Sequence, residues 1–390
     1  MEALDRLTAA IDTLAGTEWS HVDDVGLGEV LVHLHRCRGG LAAVEAAATA
    51  AFDGRRAWSV DGSKSAAAWL ARRCNTAAGA TRGQVRLARR LRWMPHTAAA
   101  LAAGEVDVHH VRLLATVAES SPVCHSAFAA AEEELVGYAQ SLPFAKFVQV
   151  VRYWQQVVDP DGVELDAAAH HANRRLHLSR LPDDGWRLDG LLDPVSGAIV
   201  ADELSRIEQQ LFQDDWAKAK AEHGDDTRPE HLWRTPAQRR ADALVEMATR
   251  SRSTPAGATR PRPLFSVFVG YETFAGRICE LANGTVVTPG QIAPFLTDAD
   301  IERVVFDGPS RVIDIGGRTR FFRSATRRAV EVRDRHCTHP GCDTPADQCD
   351  VDHIIDYDNG GPTIQTNGRL KCPKHHRHRH RHQVDDDEPP

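Results

Sequence analysis

No run of about 18 apolar residues occurs anywhere in the chain, so no ordinary membrane-spanning helix is expected. The opening residues, MEALDRLTAAIDTLAG, are acidic and amphipathic, whereas a secretory signal would be basic and then apolar. A cytoplasmic location is the expectation that follows. Repeats of solenoid type are absent. Cysteine is sparse over most of the length: Cys37, Cys74, Cys124 and Cys279 stand alone and read as small buried hydrophobes. The chain also lacks a basic excess. Its formal net charge is -7, which at first sight argues against a nucleic-acid partner.

What is present changes that first impression. At 390 residues the chain can hold two or three domains, each with its own core. Residues 1 to 160 read as nearly all helix. Leu4, Leu7, Ile11 and Leu14 recur at helical spacing, and helical composition continues to Phe52. Residues 65–73 (SAAAWLARR) and 82–94 (RGQVRLARRLRWM) form two helices around a short connection. The second would turn Val85, Leu87, Leu91 and Met94 inward. Arg82, Arg86 and Arg90, with Arg89 beside them, allow a DNA-reading helix–turn–helix. The preferred alternative is a solvated face on a bundle helix. His109 and His110 lie on a later helix with nothing nearby to complete a metal site.

From 161 to 320 the texture is mixed α and β. The segments at 175–179 and 186–191 alternate across Asp183-Asp184-Gly185 and predict a hairpin. Helices are expected at 198–211 and 236–251, a Gly/Pro/Arg linker at 255–263, and a strand at 264–271. Short strands are expected near 285–287, 302–306, 312–315 and 319–322.

The remaining four cysteines, Cys337, Cys342, Cys349 and Cys372, crowd into the stretch from 321 to 383. In a reducing compartment such crowding argues for metal rather than disulfides. Cys337-x4-Cys342 and Cys372-x2-His375 supply four donors for a closed tetrahedral zinc site. Cys349 and His339 are rival ligands. The charge is segregated too. Residues 318 to 382 carry 13 Lys/Arg against 8 Asp/Glu, a surplus of five. Arg323, Arg327, Arg328, Arg333, Arg335, Arg369 and Lys371 are the candidate phosphate contacts. Residues 384–390 form an acidic, disordered tail.

Between the two ligand pairs, residues 349–355 read as a strand. Asp358-Asn359-Gly360-Gly361-Pro362 is a turn, 367–372 a return strand, and 373–382 a short helix. Zinc would clamp this ββα unit. His375 and His376 diverge by about 100° on the helix, so one can face zinc and the other Asp352 and His353. The chemistry that fits is one-metal phosphodiester hydrolysis. Asp352 and His376 would hold a hard divalent ion, Mg2+ or Mn2+. His353 would serve as general base, and Asn367 would orient His353 or its backbone. Neighbouring strand residues point apart, so Asp352 and His353 need a bulge or a strand end to address one phosphate. In the tail His375-His-Arg-His-Arg-His-Arg-His382, only the first two histidines have positions this chemistry requires. The rest reads equally as a phosphate-binding helix or as a biased end.

These residues resemble the HNH endonuclease motif in its zinc-bearing form. Asp352-His353, Asn367 and His376 stand where that family has a metal ligand, its general base, its central Asn and a second ligand. Upstream, WLARR…RLARRL, TAAALAAGEVDVHHVRLLA, RRLHLSRL…WRLDGLLDPVSGA and RRADALVEMA resemble the actinobacterial 13E12 repeat family. That family joins a helical domain of unknown function to a C-terminal HNH module. Two positions depart from the pattern. Asp352 stands where many relatives carry His. Gly368 follows Asn367 where a bulky apolar residue is usual, which would loosen the return strand.

The resemblance implies a mainly α N-terminal domain (1–160), an α+β middle region (161–320) and a zinc-stabilised ββα-metal (HNH) module (321–383). The expected function is metal-dependent DNA cleavage, linked to a mobile element, with association as a homodimer through the helical domain. A non-catalytic, zinc-stabilised DNA-binding regulator is the alternative, and an interaction scaffold a third reading.

Overall fold

The structure, a computed structural model, describes residues 1–253, 264–270, 279–281, 285–292, 300–306, 322 and 324–382. The linker expected at 255–263, the strand expected at 312–315, all but the last residue of the strand expected at 319–322, Arg323 and the tail at 384–390 lie outside the described residues. The chain divides into two compact units, Met1–Val151 and Arg152–Pro390. Among the described residues no helix is long and apolar enough to cross a membrane.

The first unit is helical throughout. Its helices are α1 (Glu2–Ala15), α2 (Asp24–Gly54), α3 (Ala66–Arg73), α4 (Ala78–Leu91), α5 (Pro95–Ala103), α6 (Val108–Ala118), α7 (Pro122–Ser141) and α8 (Phe144–Val158), the last running on into the second. The single helix suggested by spacing over 1–50 is broken. Gly16 closes α1, and Asp23 restarts the chain by accepting from Gly26 N at 2.7 Å as the N-cap of α2. Although Leu4, Leu7, Ile11 and Leu14 share one face of α1, that helix buries no residue.

The core is built by Met94, Leu101, Val111, Leu114, Phe128 and Phe147, all fully buried. Gly104 ends α5 at φ +70, and a Cβ there would come within 2.5 Å of the Arg36 carbonyl on α2. Only glycine meets both conditions. Asp107 then caps α6, accepting from His109 N and His110 N at 2.7 and 3.1 Å. The His110 ring folds back on Asp107 and lies against Phe144, so it serves the cap rather than a metal. On α4, Arg89 forms a two-pronged pair with Asp53, and Arg90 pairs with Glu119. The helix is thus knitted to its neighbours, as a bundle face would be.

In the second unit α9 (Pro160–Ala172) leads into the expected hairpin, β1 (Arg175–Arg180) and β2 (Trp186–Leu191), paired in regular antiparallel register. Asp193 caps the long α10 (Pro194–His223), and α11 (Pro236–Ser253) packs along it. Buried Asp215 of α10 accepts from Arg234 and from Trp233 Nε1, which fixes the loop between the two helices. A four-stranded sheet has the order β5-β4-β3-β6. Its strands are β3 (Leu264–Gly270), β4 (Cys279–Glu280), β5 (Val286–Val287) and β6 (Asp300–Phe306), with β3 and β6 parallel. The turn of helix α12 (Pro289–Ile292) follows β5. Val195, Ala198, Leu281, Val287 and Ile292 join α10 to this sheet.

Last come α13 (Ser324–Asp334), β7 (Asp350–His353), β8 (Gly368–Lys371) and α14 (Pro373–His382). The two strands pair antiparallel, from Asp350 with Lys371 to His353 with Gly368. Phe322, Val330, Cys337, Cys349, Leu370 and Cys372 form the core beneath them. Gly368 does not loosen β8 in this setting. A Cβ there would lie 2.7 Å from the Phe322 ring, so the aromatic fills the space that a larger residue would occupy.

Candidate functional site

The loop after α13, the end of β8 and the first turn of α14 bring Cys337, Cys342, Cys372 and His375 together. Their four donor atoms lie within 4.8 Å of one another. His375 Nδ1 is 3.4 Å from Cys337 Sγ and 3.3 Å from Cys372 Sγ. Sulfur and nitrogen sharing one tetrahedral zinc would be about 3.5 Å apart, so the donor set fits that ion. The rivals separate cleanly. Cys349 is buried in the core with its Sγ toward the Thr344 carbonyl, and burial pushes its thiol well up. His339 stacks on the His375 ring at 3.8 Å.

A second group of donors forms on one face of β7. Asp352 is almost fully buried, and its Oδ1 lies 3.5 Å from His376 Nε2 of α14. That separation exceeds an ordinary hydrogen bond. Two neighbouring oxygen and nitrogen ligands of one divalent ion would stand about 3 Å apart at bond lengths near 2.1 Å, so the pair would have to close by roughly half an ångström to hold one. The other carboxylate oxygen is already engaged. Arg379, one turn beyond His376, donates from Nη1 to Asp352 Oδ2 at 2.6 Å and to the His353 carbonyl at 2.7 Å. Its Nη2 donates to the Ile354 carbonyl at 2.9 Å.

Burial pushes the Asp352 carboxyl up, but the contact with His376 and the charge of Arg379 outweigh it and hold the carboxyl below its usual value. The same contact raises the His376 imidazole against the opposing effect of burial. The signs follow from linkage. Asp352's stabilising share is present above 3.8 and fades on acidification, whereas that of His376 is full below 6.5 and fades as pH rises through the raised value. Both groups therefore favour their charged forms between 3.8 and 6.5.

His353 belongs to the opposite face. Its Nε2 lies 3.0 Å from Thr363 Oγ1, and its ring packs against Phe322 and Tyr357. The ladder runs regularly to His353 without a bulge, and His353 is the last residue of β7. Asn367 binds backbone rather than the His353 ring. Its Oδ1 accepts from Ile355 N, and its Nδ2 donates to the carbonyls of Ile355 and Pro362, all at about 3 Å. It thereby closes the loop that carries Thr363.

The basic field needs correction. Arg369 and Lys371 are buried in β8, 4% and 1% exposed, and so face into the module rather than a nucleic acid. Arg333 donates to the carbonyls of Gln365 and Gly368, and Arg327 to that of Cys349. Arg335, at φ +61, pairs with Glu280, while Arg328 lies 3.5 Å from Glu331. Arg327 and Arg333 thus bind the module together, whereas Arg335 ties it to β4 and Arg328 stays on its own helix. Sequence reasoning passed over Arg379 and Thr363; the only available signal was that Arg379 follows His376 by three residues on the same helix.

The family described as domain of unknown function (DUF222) matches residues 29–334. The uncharacterized protein Rv3776 of Mycobacterium tuberculosis is 25% identical over 83% of this chain and 66% of its own length. The uncharacterized protein Rv2100 of the same organism is 24% identical over 92% of this chain and 73% of its own. The chain therefore spans about two thirds to three quarters of these relatives. No solved structure matches.

Proposed function

The chain belongs to the DUF222 family, and on that premise we propose that it is a metal-dependent nuclease of HNH type whose working residues lie just past the matched segment. The observation that carries the reading is the pair of distinct donor sets in one ββα unit. One is closed and sulfur-rich; the other is the mixed pair Asp352 and His376, 3.5 Å apart. Mg2+ or Mn2+ held by that pair would supply the charge that stabilises a phosphorane and its leaving oxygen. His353 Nε2 lies 3.0 Å from Thr363 Oγ1, a contact that would fix the ring, and the imidazole would act as the base that takes a proton from water. Asn367 keeps the intervening loop closed, so that Thr363 holds the ring at one angle. DNA is the proposed substrate, and homodimer formation through the helical unit and a link to a mobile element belong to the same proposal.

Incubating the zinc-loaded protein with supercoiled plasmid and Mg2+ or Mn2+ should give nicked product. His353→Ala should slow the reaction by about two orders of magnitude or more. Equal rates for the two proteins would remove His353 from the mechanism. Arg379 favours a second reading, in which the module binds DNA without cutting it, because its guanidinium already neutralises Asp352. Salt-sensitive DNA binding with no cleavage in either metal would select that reading.

A further inference from the structure

Beside the Cys3His cluster, with His375 and His339 in its lining, lies a cleft of about 490 Å3. Trp216 of α10 forms one wall, Arg228 of the following loop another, and Lys374, Arg377 and His378 of α14 a third. Among the described residues no carboxylate lines it. The Arg377 guanidinium sits 5.6 Å above the Trp216 ring and is anchored by Nε donating to the Pro373 carbonyl at 3.0 Å. Lys374 and the first turn of α14 add positive potential at the same mouth. The cleft thus combines a flat aromatic face, a fixed guanidinium plane and two more cations in a space of ligand size.

Along the loop the charges alternate. Asp225, Asp226 and Glu230 bracket Thr227–Pro229 in the sequence, so no continuous basic stripe runs along the loop. A duplex backbone needs such a stripe; a single nucleotide does not. We infer that the cleft takes one unpaired nucleotide of a nucleic-acid strand. Its base would lie against the part of the Trp216 indole that Arg377 leaves uncovered, and its phosphate would meet Arg228, Lys374 and Arg377. The inference rests on the nucleic-acid reading of the module and adds to it a subsite for single-stranded character, a strand end or an extruded base.

The test uses the full zinc-loaded chain without added Mg2+ or Mn2+. Fluorescence anisotropy of a labelled short single-stranded oligonucleotide is compared with that of the same sequence as a blunt duplex. The single strand should bind more tightly. Trp216→Leu and Arg377→Gln should each weaken that binding about tenfold, while Trp216→Phe keeps it. Zinc content and the melting curve identify any variant that has merely misfolded. Unchanged affinity in both Trp216→Leu and Arg377→Gln would overturn the inference. So would preferential binding of the duplex, or equal competition by a polyglutamate peptide of matched charge. Because cleavage plays no part in the readout, the two ideas fail separately. A protein that binds the strand through Trp216 but never nicks plasmid retains the cleft and loses the nuclease. One that nicks plasmid with Trp216 irrelevant to binding does the reverse.

Discussion

Removing zinc from the Cys337, Cys342, Cys372 and His375 cluster should unfold the C-terminal module and leave the helical first unit intact. The expectation comes from the composition of the module's core. Of its six buried members, Phe322, Val330, Cys337, Cys349, Leu370 and Cys372, three are cysteines, and two of those are ligands. Such a core buries too little hydrocarbon to fold on that basis alone, so metal binding supplies the deficit, on the order of 10 kcal/mol for structural zinc. Burial pushes the Cys337 thiol up, so without a cation this site disfavours its thiolate. The measurements are zinc per chain by elemental analysis, with melting followed by circular dichroism before and after chelation. One zinc per chain is expected, together with loss of a C-terminal transition on chelation or in Cys372→Ser. The first unit's core, centred on Met94, Phe128 and Phe147, holds no cluster of three metal donors among the described residues and should melt as before. Identical melting with and without chelator would be fatal to the zinc assignment.

Replacing Arg379 with Met should destabilise the module by about 3–5 kcal/mol, the usual cost of breaking a buried ion pair from one side. Asp352 is 4% exposed and would lose its shortest donor, while the carbonyls of His353 and Ile354 would lose theirs. Adding Asp352→Asn should recover much of the loss, because the buried charge then disappears together with its partner. Denaturant melts of the two single variants and the double variant form the cycle that measures this coupling. Mn2+ should also stabilise Arg379→Met more than the parent chain, since a divalent ion at Asp352 and His376 would replace the missing cation. Additive losses in the cycle would show that the guanidinium acts on the carbonyls alone.

Much of this module could be read from residues in order. Two ligand pairs at knuckle spacing announced the Cys3His cluster, and alternation followed by a glycine turn announced β7, β8 and α14. What stayed hidden were partners distant in sequence. Arg379 sits in a His/Arg run that looks like compositional bias, and only the helical phase of α14 aims it at a carboxylate 27 positions earlier. Thr363 is an unremarked residue between a turn and a strand until the fold sets it against His353. The arginines at 327, 333 and 335 were visible as charge, but charge does not say whether a guanidinium will meet a phosphate or a backbone carbonyl. The face of α1 teaches the same lesson, because helical spacing is local whereas burial depends on what arrives to cover it.

The arrangement of the zinc ligands also determines how the module would respond to a cut chain. The ligands stand in two pairs, and the loop between Cys342 and Cys372 spans 372 − 342 = 30 positions. Asp352, His353, Thr363 and Asn367 all lie on that loop. A peptide bond broken at its exposed Asn359–Gly360 turn would leave β7 on one fragment and β8 with α14 on the other. Each fragment would keep two of the four ligands, so the metal and the β7–β8 ladder would hold them as a non-covalent pair until a chelator released them. In such a clipped protein the ion, rather than the polypeptide, would be the bond that makes the module one body.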